Sequence, residues 1–100
     1  MKLLTKEILR KLPALYSTEG EGNNAQVIVK FFNPTGAGTW YVTEFDGEDT
    51  FFGLTCGLGH DELGYISLSE LQNYKGRFGV GIERDRHFGK HTIGECRQMG

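Results

Sequence analysis

The chain has 100 residues, a length that fits a single domain spanning residues 1–100. Hydrophobic residues make up 38% and charged residues 24%, a balance typical of folded globular proteins that argues against wholesale disorder. No apolar run approaches the roughly 20 residues that cross a bilayer, and the N-terminal segment lacks the apolar stretch of a signal peptide. We therefore expect a cytoplasmic protein without a membrane partner.

Charge is distributed unevenly along the chain. The formal net charge is −2, but residues 1–18 carry +3, residues 19–74 carry −8 and residues 75–100 carry +3. A weak net charge argues against nonspecific nucleic-acid binding, which requires a basic face. The acidic middle is suited to a basic surface on a partner protein. A solvated acidic face is the simpler alternative.

The first predicted element is an amphipathic helix from Thr5 to Leu12. Leu4, Ile8 and Leu12 repeat every four residues, with basic and acidic residues on the other side. Thr5 is a suitable N-cap, and Pro13 forces the helix to stop. The helix is too short for stable anchoring at a membrane surface, so we expect it to pack onto the body of the domain.

Three strands are predicted next. The β-branched and aromatic segment Gln26–Phe32 is followed by a turn at Asn33–Gly36. The segments Thr39–Phe45 and Thr50–Cys56 then form a hairpin, because the Asp46–Asp49 link between them contains an Asp-Gly turn signal.

The register of the hairpin follows from the expectation that one face is buried. A three-residue loop places Trp40 and Val42 on one strongly apolar face with three residues of the second strand, Phe52, Leu54 and Cys56. Tyr41 and Phe51 then share the opposite face, where the N-terminal helix covers them in part or leaves them exposed.

Short strands and helices are predicted in the rest of the chain. Leu63–Ile66 is typical of a short strand, and Ser67 with Glu70 has the spacing of a capping box that starts a helix running to about Tyr74. Residues 75–82 predict a loop and an edge strand, and residues 83–86 a charged surface segment. The tail, from about residue 92 to residue 100, predicts one terminal turn or a frayed end. The fold class is α+β: a single domain with an antiparallel sheet around a central hairpin and short flanking helices.

Several residues have side chains that bind metals or act as nucleophiles, but their spacing is irregular. A zinc site would draw on Cys56, His60, His87, His91 and Cys96, yet no C-x2-C pair is present. A catalytic Cys–His pair would need an orienting group and an oxyanion site that no local motif supplies. The glycines of residues 76–81 lack the spacing of a nucleotide fingerprint. We therefore expect no catalytic residue, no metal and no cofactor, with both thiols free and buried.

The most distinctive feature is the acidic tip of the hairpin, with four carboxylates within six residues: Glu44, Asp46, Glu48 and Asp49. Turns favour Asp and Gly for backbone reasons, so a solvated turn is one interpretation. The other is a rigid acidic projection that binds a partner protein by entering its nucleic-acid-binding groove.

The sequence resembles a known family over nearly its whole length, to about Phe88. The resemblance is carried by the opening MKLLTKEILRKLPALYSTE and by the segments VKFFNPTG, TWYVTEFDGEDTFFGL, ELGYISLSEL and IERD. The family is a domain of unknown function found in small bacterial proteins of conjugative plasmids, integrative elements and phages, and it includes type II-A anti-CRISPR proteins. It offers no catalytic residues to transfer, and its pattern does not include the cysteines and histidines considered as zinc ligands.

The resemblance implies a non-enzymatic inhibitor that binds the RNA-guided Cas nuclease of a type II system, a protein that holds its guide and target in basic channels. The alternative is an accessory protein of conjugation or plasmid maintenance that contacts DNA or a DNA-processing complex. That role requires the fold to bring together the basic residues near both ends: Lys2, Lys6, Arg10, Lys11, Arg84, Arg86, Lys90 and Arg97. A small metal- or thiol-dependent enzyme ranks last.

Overall fold

A five-stranded antiparallel sheet organises the chain, and the computed structural model describes residues 2–99. The helices are α1 (Lys6–Lys11), α2 (Leu68–Asn73) and α3 (Ile93–Met99). The strands are β1 (Gln26–Val27), β2 (Val29–Phe32), β3 (Thr39–Phe45), β4 (Thr50–Cys56), β5 (Glu62–Ser67), β6 (Glu83–Arg84) and β7 (His91–Thr92). The large sheet has the order β5-β4-β3-β2-β6, while β1 and β7 pair separately. The chain is thus a single α+β domain, as predicted.

The N-terminal helix is confirmed together with its cap. The Thr5 hydroxyl accepts a hydrogen bond from the Ile8 amide at 3.2 Å, and the helix ends at Lys11, before Pro13. Ile8 and Leu12 pack against the buried core, so the helix lies on the body of the domain.

The hairpin is confirmed with the predicted strand bounds, but its register is correct only near the tip. Glu44 pairs with Phe52 there, as a three-residue loop requires. Beyond Thr43 the register shifts by one residue, so that Tyr41 pairs with Leu54 and Val42 with Gly53. The prediction that Trp40 and Val42 share a face with Leu54 and Cys56 is therefore wrong.

A β-bulge at Thr43 is the physical reason for this shift. One extra residue on β3 reverses the alternation of side chains between the two faces of the strand. The Thr43 hydroxyl donates to the Phe52 carbonyl at 3.1 Å, which fixes the bulged residue against β4. Tyr41 and Phe51 consequently lie on opposite faces, and both are buried rather than partly exposed.

Both faces of the sheet are covered, so the protein has two hydrophobic clusters. One face carries Val42, Phe45 and Phe51 and packs against α1, α2 and the segment before α1. The opposite face carries Tyr41, Leu54 and Cys56 and packs against α3 and the small β1–β7 sheet. This arrangement explains why central β3 is buried at five successive residues instead of alternating.

The predicted strand Gln26–Phe32 is divided between two sheets. Residues 26–27 pair with β7, whereas residues 29–32 pair with β3 and β6. The Ile28 amide donates to the Val42 carbonyl at 2.8 Å at the point where the chain passes from one sheet to the other. A continuous β-branched run does not indicate such a division, because each half has a typical strand sequence.

The capped helix after β5 is confirmed. The Ser67 hydroxyl accepts from the Glu70 amide at 3.2 Å, and Leu68 and Leu71 are buried on the helical face of the sheet.

The edge strand lies at residues 83–84, where a surface segment was predicted, because these residues pair with the free edge of β2. Residues 93–99 form α3 where one turn or a frayed end was predicted, because burial of Ile93 and Cys96 holds the helix in place.

The described helices are all short. The longest, α3, has 7 residues against the roughly 20 that span a bilayer, and none within residues 2–99 qualifies as a membrane span.

Two glycines face each other across β4 and β5, and the bulge predicts that they differ sharply in their tolerance of a side chain. A Cβ at Gly53 would lie 2.1 Å from the Tyr41 carbonyl oxygen, whereas a Cβ at Gly64 would meet nothing within 4 Å. We expect Gly53→Ala to lower the free energy of unfolding by about 1–3 kcal/mol or more. Gly64→Ala should change it by less than about 0.5 kcal/mol. Urea denaturation of both variants tests this, and equal stabilities would contradict the bulge geometry.

Candidate functional site

The four acidic residues predicted at the hairpin tip do not form one exposed cluster. Asp46 and Glu48 are exposed, Asp49 is half-buried and Glu44 is buried. Three of the four carboxylates accept hydrogen bonds that build the local structure. The predicted partner-binding set therefore divides into an outer pair, Asp46 and Glu48, and an inner pair, Glu44 and Asp49.

Asp46 organises the turn itself. Its Oδ1 accepts hydrogen bonds from the backbone amides of Glu48, Asp49 and Thr50 at 2.8, 2.9 and 3.1 Å. These bonds favour the ionised form and lower the pKa of the Asp46 carboxyl below its usual range. The tip thus carries a fixed negative charge on a constrained loop.

Asp49 ties the tip to the start of α2. Its Oδ2 accepts from the Ser67 hydroxyl at 2.8 Å and its Oδ1 from the Ser69 amide at 2.7 Å. The bond from Ser67 is the main cause that lowers the pKa of the Asp49 carboxyl, and the Ser69 amide adds to it. The Asp49 carbonyl also accepts from the Leu68 amide at 2.8 Å, so the hairpin and the helix are held together by three bonds.

Glu44 lies inside the molecule, where the sequence predicted an exposed site residue. Only 3% of its surface is accessible. Its Oε1 accepts from the Tyr16 amide at 2.8 Å, and its Oε2 accepts from the amide of Thr18 at 2.9 Å and from the Thr18 hydroxyl. The bulge turns Glu44 to the face where residues 16–18 cross the sheet, so this carboxylate anchors a loop.

The basic residues near the two ends of the chain are brought together in part. A cleft of about 720 Å³ separates α1 from residues 84–90, and its basic lining residues are Lys11, Arg84, Arg86 and Lys90. Arg84 Nη1 donates to the Lys2 carbonyl at 2.6 Å and to the Leu3 carbonyl at 3.2 Å, which joins residues 84–90 to the segment before α1. Lys6, Arg10 and Arg97 do not line this cleft.

Acidic residues offset some of the charge in this cleft. Glu7 lies 3.3 Å from Lys11, and Asp85 lies 3.6 Å from Lys30. Arg86 and Lys90 are therefore the basic residues through which the cleft can best attract an anion.

The cysteines and histidines considered as zinc ligands are dispersed. Both thiols are free and fully buried in the cluster beneath α3, where burial raises the pKa of Cys56 and of Cys96 to about 11. His60 is exposed beside Glu62, and the His91 ring packs against Phe88 with centroids 4.6 Å apart. Within residues 2–99 no three metal-ligating side chains converge.

Exposed aromatic side chains are the surface feature that sequence reasoning missed. Tyr16 is 62% exposed, Tyr65 is 61% exposed and Phe78 is 91% exposed. Tyr16 and Phe78 also have positive φ angles of 72° and 61°, which side-chain-bearing residues rarely adopt. The nearby Gly76, Gly79 and Gly81 could have indicated the exposure of Phe78, because a Gly-rich turn offers an aromatic ring no core to enter.

The low pKa values at the tip predict acid sensitivity. A carboxyl with a lowered pKa in the folded state stabilises the protein above its unfolded pKa of about 3.8, and this contribution is lost as the pH falls through the folded value. We expect the melting temperature to decrease once the pH is lower than about 4. The decrease should be smaller in Asp49→Asn than in the wild type. The measurement is thermal denaturation from pH 2 to 7.

The matched control is Glu48→Gln, which removes one charge from the same loop. The Glu48 carboxylate accepts no hydrogen bond from the residues that the structure describes, so this variant should retain the acid dependence of the wild type. An Asp49→Asn curve parallel to the wild-type curve would contradict the assignment.

Comparison with known proteins identifies a family for this chain. Neither the curated proteins nor the solved structures include a match to this chain. A family model described as "Protein of unknown function (DUF2958)" matches residues 3–95, which covers α1, all seven strands, α2 and the start of α3. The chain belongs to this DUF2958 family of proteins of unknown function.

Proposed function

We propose that this protein is a non-enzymatic inhibitor that binds the effector nuclease of a type II CRISPR system in the cytoplasm of a bacterial host. The identity of the partner comes from the resemblance to the anti-CRISPR-containing family. The observation that supports a binding role is the constrained acidic tip, where Asp46 and Glu48 project from a loop that Asp49 anchors to α2.

A constrained tip favours association in two ways. The hydrogen bonds of Asp46 and Asp49 fix the loop before binding, so little conformational entropy is lost when a partner is engaged. Both carboxyls are also ionised at neutral pH, as aspartates ordinarily are, so the tip carries negative charge. Such charges act on a basic channel mainly by raising the association rate.

The location of Glu44 decides how the proposal is tested. Replacing all four carboxylates would release the loop at residues 16–18, so a loss of binding would report on folding as well as on charge. The informative variant is the double substitution Asp46→Asn and Glu48→Gln. Asn retains an acceptor oxygen for the turn amides and suits turn positions, so the hairpin is preserved.

We expect this double variant to bind the guide-loaded effector about 2- to 30-fold more weakly at low salt, because each exposed ion pair contributes about 0.2–1 kcal/mol. Most of the loss should be in the association rate, and the remaining affinity should depend less on salt. Surface plasmon resonance at two ionic strengths and a DNA-cleavage assay measure these effects.

The control variant, Lys6→Gln with Arg10→Gln, removes two charges from the exposed side of α1 and should inhibit as the wild type does. If the acidic variant inhibits as well as the wild type at both low and high salt, the tip is a solvated turn that does not contribute to binding.

A second candidate is contact with nucleic acid, and the basic cleft favours it. The fold places α1 and residues 84–90 on two sides of one cleft, which brings some of the basic residues near the chain ends together, as a DNA-contacting accessory protein would require. If this function holds, the protein retards bare duplex DNA at low salt, and Arg86→Gln with Lys90→Gln abolishes the effect because the phosphate contacts are lost. Absence of retardation at low salt would rule this function out and leave the inhibitor proposal standing.

A further inference from the structure

A small cavity lies beside the outer strand β5, beneath the loop that Glu44 anchors. Its volume is about 270 Å³, and its rim is formed by Tyr16 and Tyr65. The two phenol oxygens lie 3.2 Å apart, with Tyr65 donating to Tyr16. The Tyr65 ring packs edge-on against Phe52 with centroids 5.6 Å apart, so three aromatic rings surround the opening.

The interior of the cavity is divided into an apolar floor and an acidic wall. Ala25, Leu63 and Ile93 form the floor and belong to the hydrophobic cluster beneath α3. Glu19 and Glu44 supply the acidic wall, and none of the lining residues, all within the described chain, is basic. A hydrogen bond with Tyr16 raises the pKa of Tyr65, and the charges of Glu19 and Glu44 add to this effect.

The Glu44 carboxylate is almost fully buried and has no cationic partner among residues 2–99. Its hydrogen bonds come from uncharged donors, two amides and one hydroxyl, and Oε1 accepts only the one from Tyr16. A buried charge without an opposite charge is costly, and a bound cation would lower that cost.

Tyr16 is held in an unfavourable conformation at the rim. Its φ of 72° lies in the left-handed region, and its amide is fixed by the 2.8 Å bond to Glu44. The strain therefore presents an aromatic ring at the cavity mouth instead of burying it. Strained residues of this kind are concentrated at binding sites.

We propose that this cavity binds an arginine side chain of the partner protein. Aromatic faces attract cations, and the planar, weakly hydrated guanidinium stacks on them better than an ammonium group does. The carboxylates of Glu19 and Glu44 offset the positive charge of the head group, and the aliphatic stem leaves the cavity along the aromatic rim. The inference deepens the proposed function, on which it rests for the partner being a protein.

The test uses N-acetyl-arginine amide as the probe and nuclear magnetic resonance of the full chain. The amides of Tyr16 and Thr18 report on the site directly because both donate to Glu44. We expect their resonances to shift and saturate with increasing probe. N-acetyl-citrulline amide has nearly the same shape without the charge and should give no saturable shift.

Two variants remove one aromatic ring each from the rim. Tyr65→Ala changes an exposed side chain, and Tyr16→Gly keeps the backbone because glycine adopts positive φ readily. Each variant should lower the affinity for the arginine probe about 3- to 30-fold, in line with the strength of cation–π contacts. The matched control is Phe78→Gly, which removes an exposed ring from another left-handed residue outside the cavity and should leave affinity unchanged.

The outcomes separate this inference from the proposed function. Equal shifts with the citrulline probe, or unchanged affinity in Tyr16→Gly, would overturn the arginine site even if the protein inhibits the effector. Saturable arginine binding that is weaker in both rim variants would support the site even if the effector is not inhibited. In that case the partner would be a different protein.

Discussion

The β-bulge at Thr43 determines how the rest of the chain is arranged. By adding one residue to the central strand, it places Val42 on one face of the sheet and Glu44 on the other. Both faces of the hairpin can then be hydrophobic, with the helices α1 and α2 on one side and α3 with the small sheet on the other. Gly53 makes the bulge possible, because β3 approaches β4 so closely there that no side chain fits.

The same bulge divides the acidic residues between structural and surface roles. Glu44 is turned inward and holds the loop at residues 16–18. Asp49 accepts hydrogen bonds from Ser67 and Ser69 at the start of α2. The strongly negative middle of the sequence is therefore not simply a solvated face. Part of its charge fixes loops and helix ends, and the remainder is presented at the tip on a base that these contacts make rigid.

The fold presents three surfaces of different chemistry. The hairpin tip is acidic, the cleft between α1 and residues 84–90 is basic in part, and the cavity beside β5 combines aromatic rings with a buried carboxylate. The tip and the cavity would both favour a basic protein partner, because each offers negative charge that is already fixed in place. The cleft would favour an anion.

The elements that depend on local chemistry could be predicted from the sequence. The helix capped by Thr5, the hairpin strands with their three-residue loop and the helix capped by Ser67 were all predictable, because caps and turns involve residues only a few positions apart. Burial of both cysteines was also predictable, since small thiols are apolar.

Features that depend on residues far apart in the chain became evident only from the folded arrangement. The division of residues 26–32 between two sheets required β7, and the order of α3 required a core for Ile93. The burial of Glu44 depended on the amides of Tyr16 and Thr18, which lie 28 and 26 positions away in the chain. A bulge leaves no residue pattern in this sequence, because alternation along β3 is masked once both faces of a strand are buried.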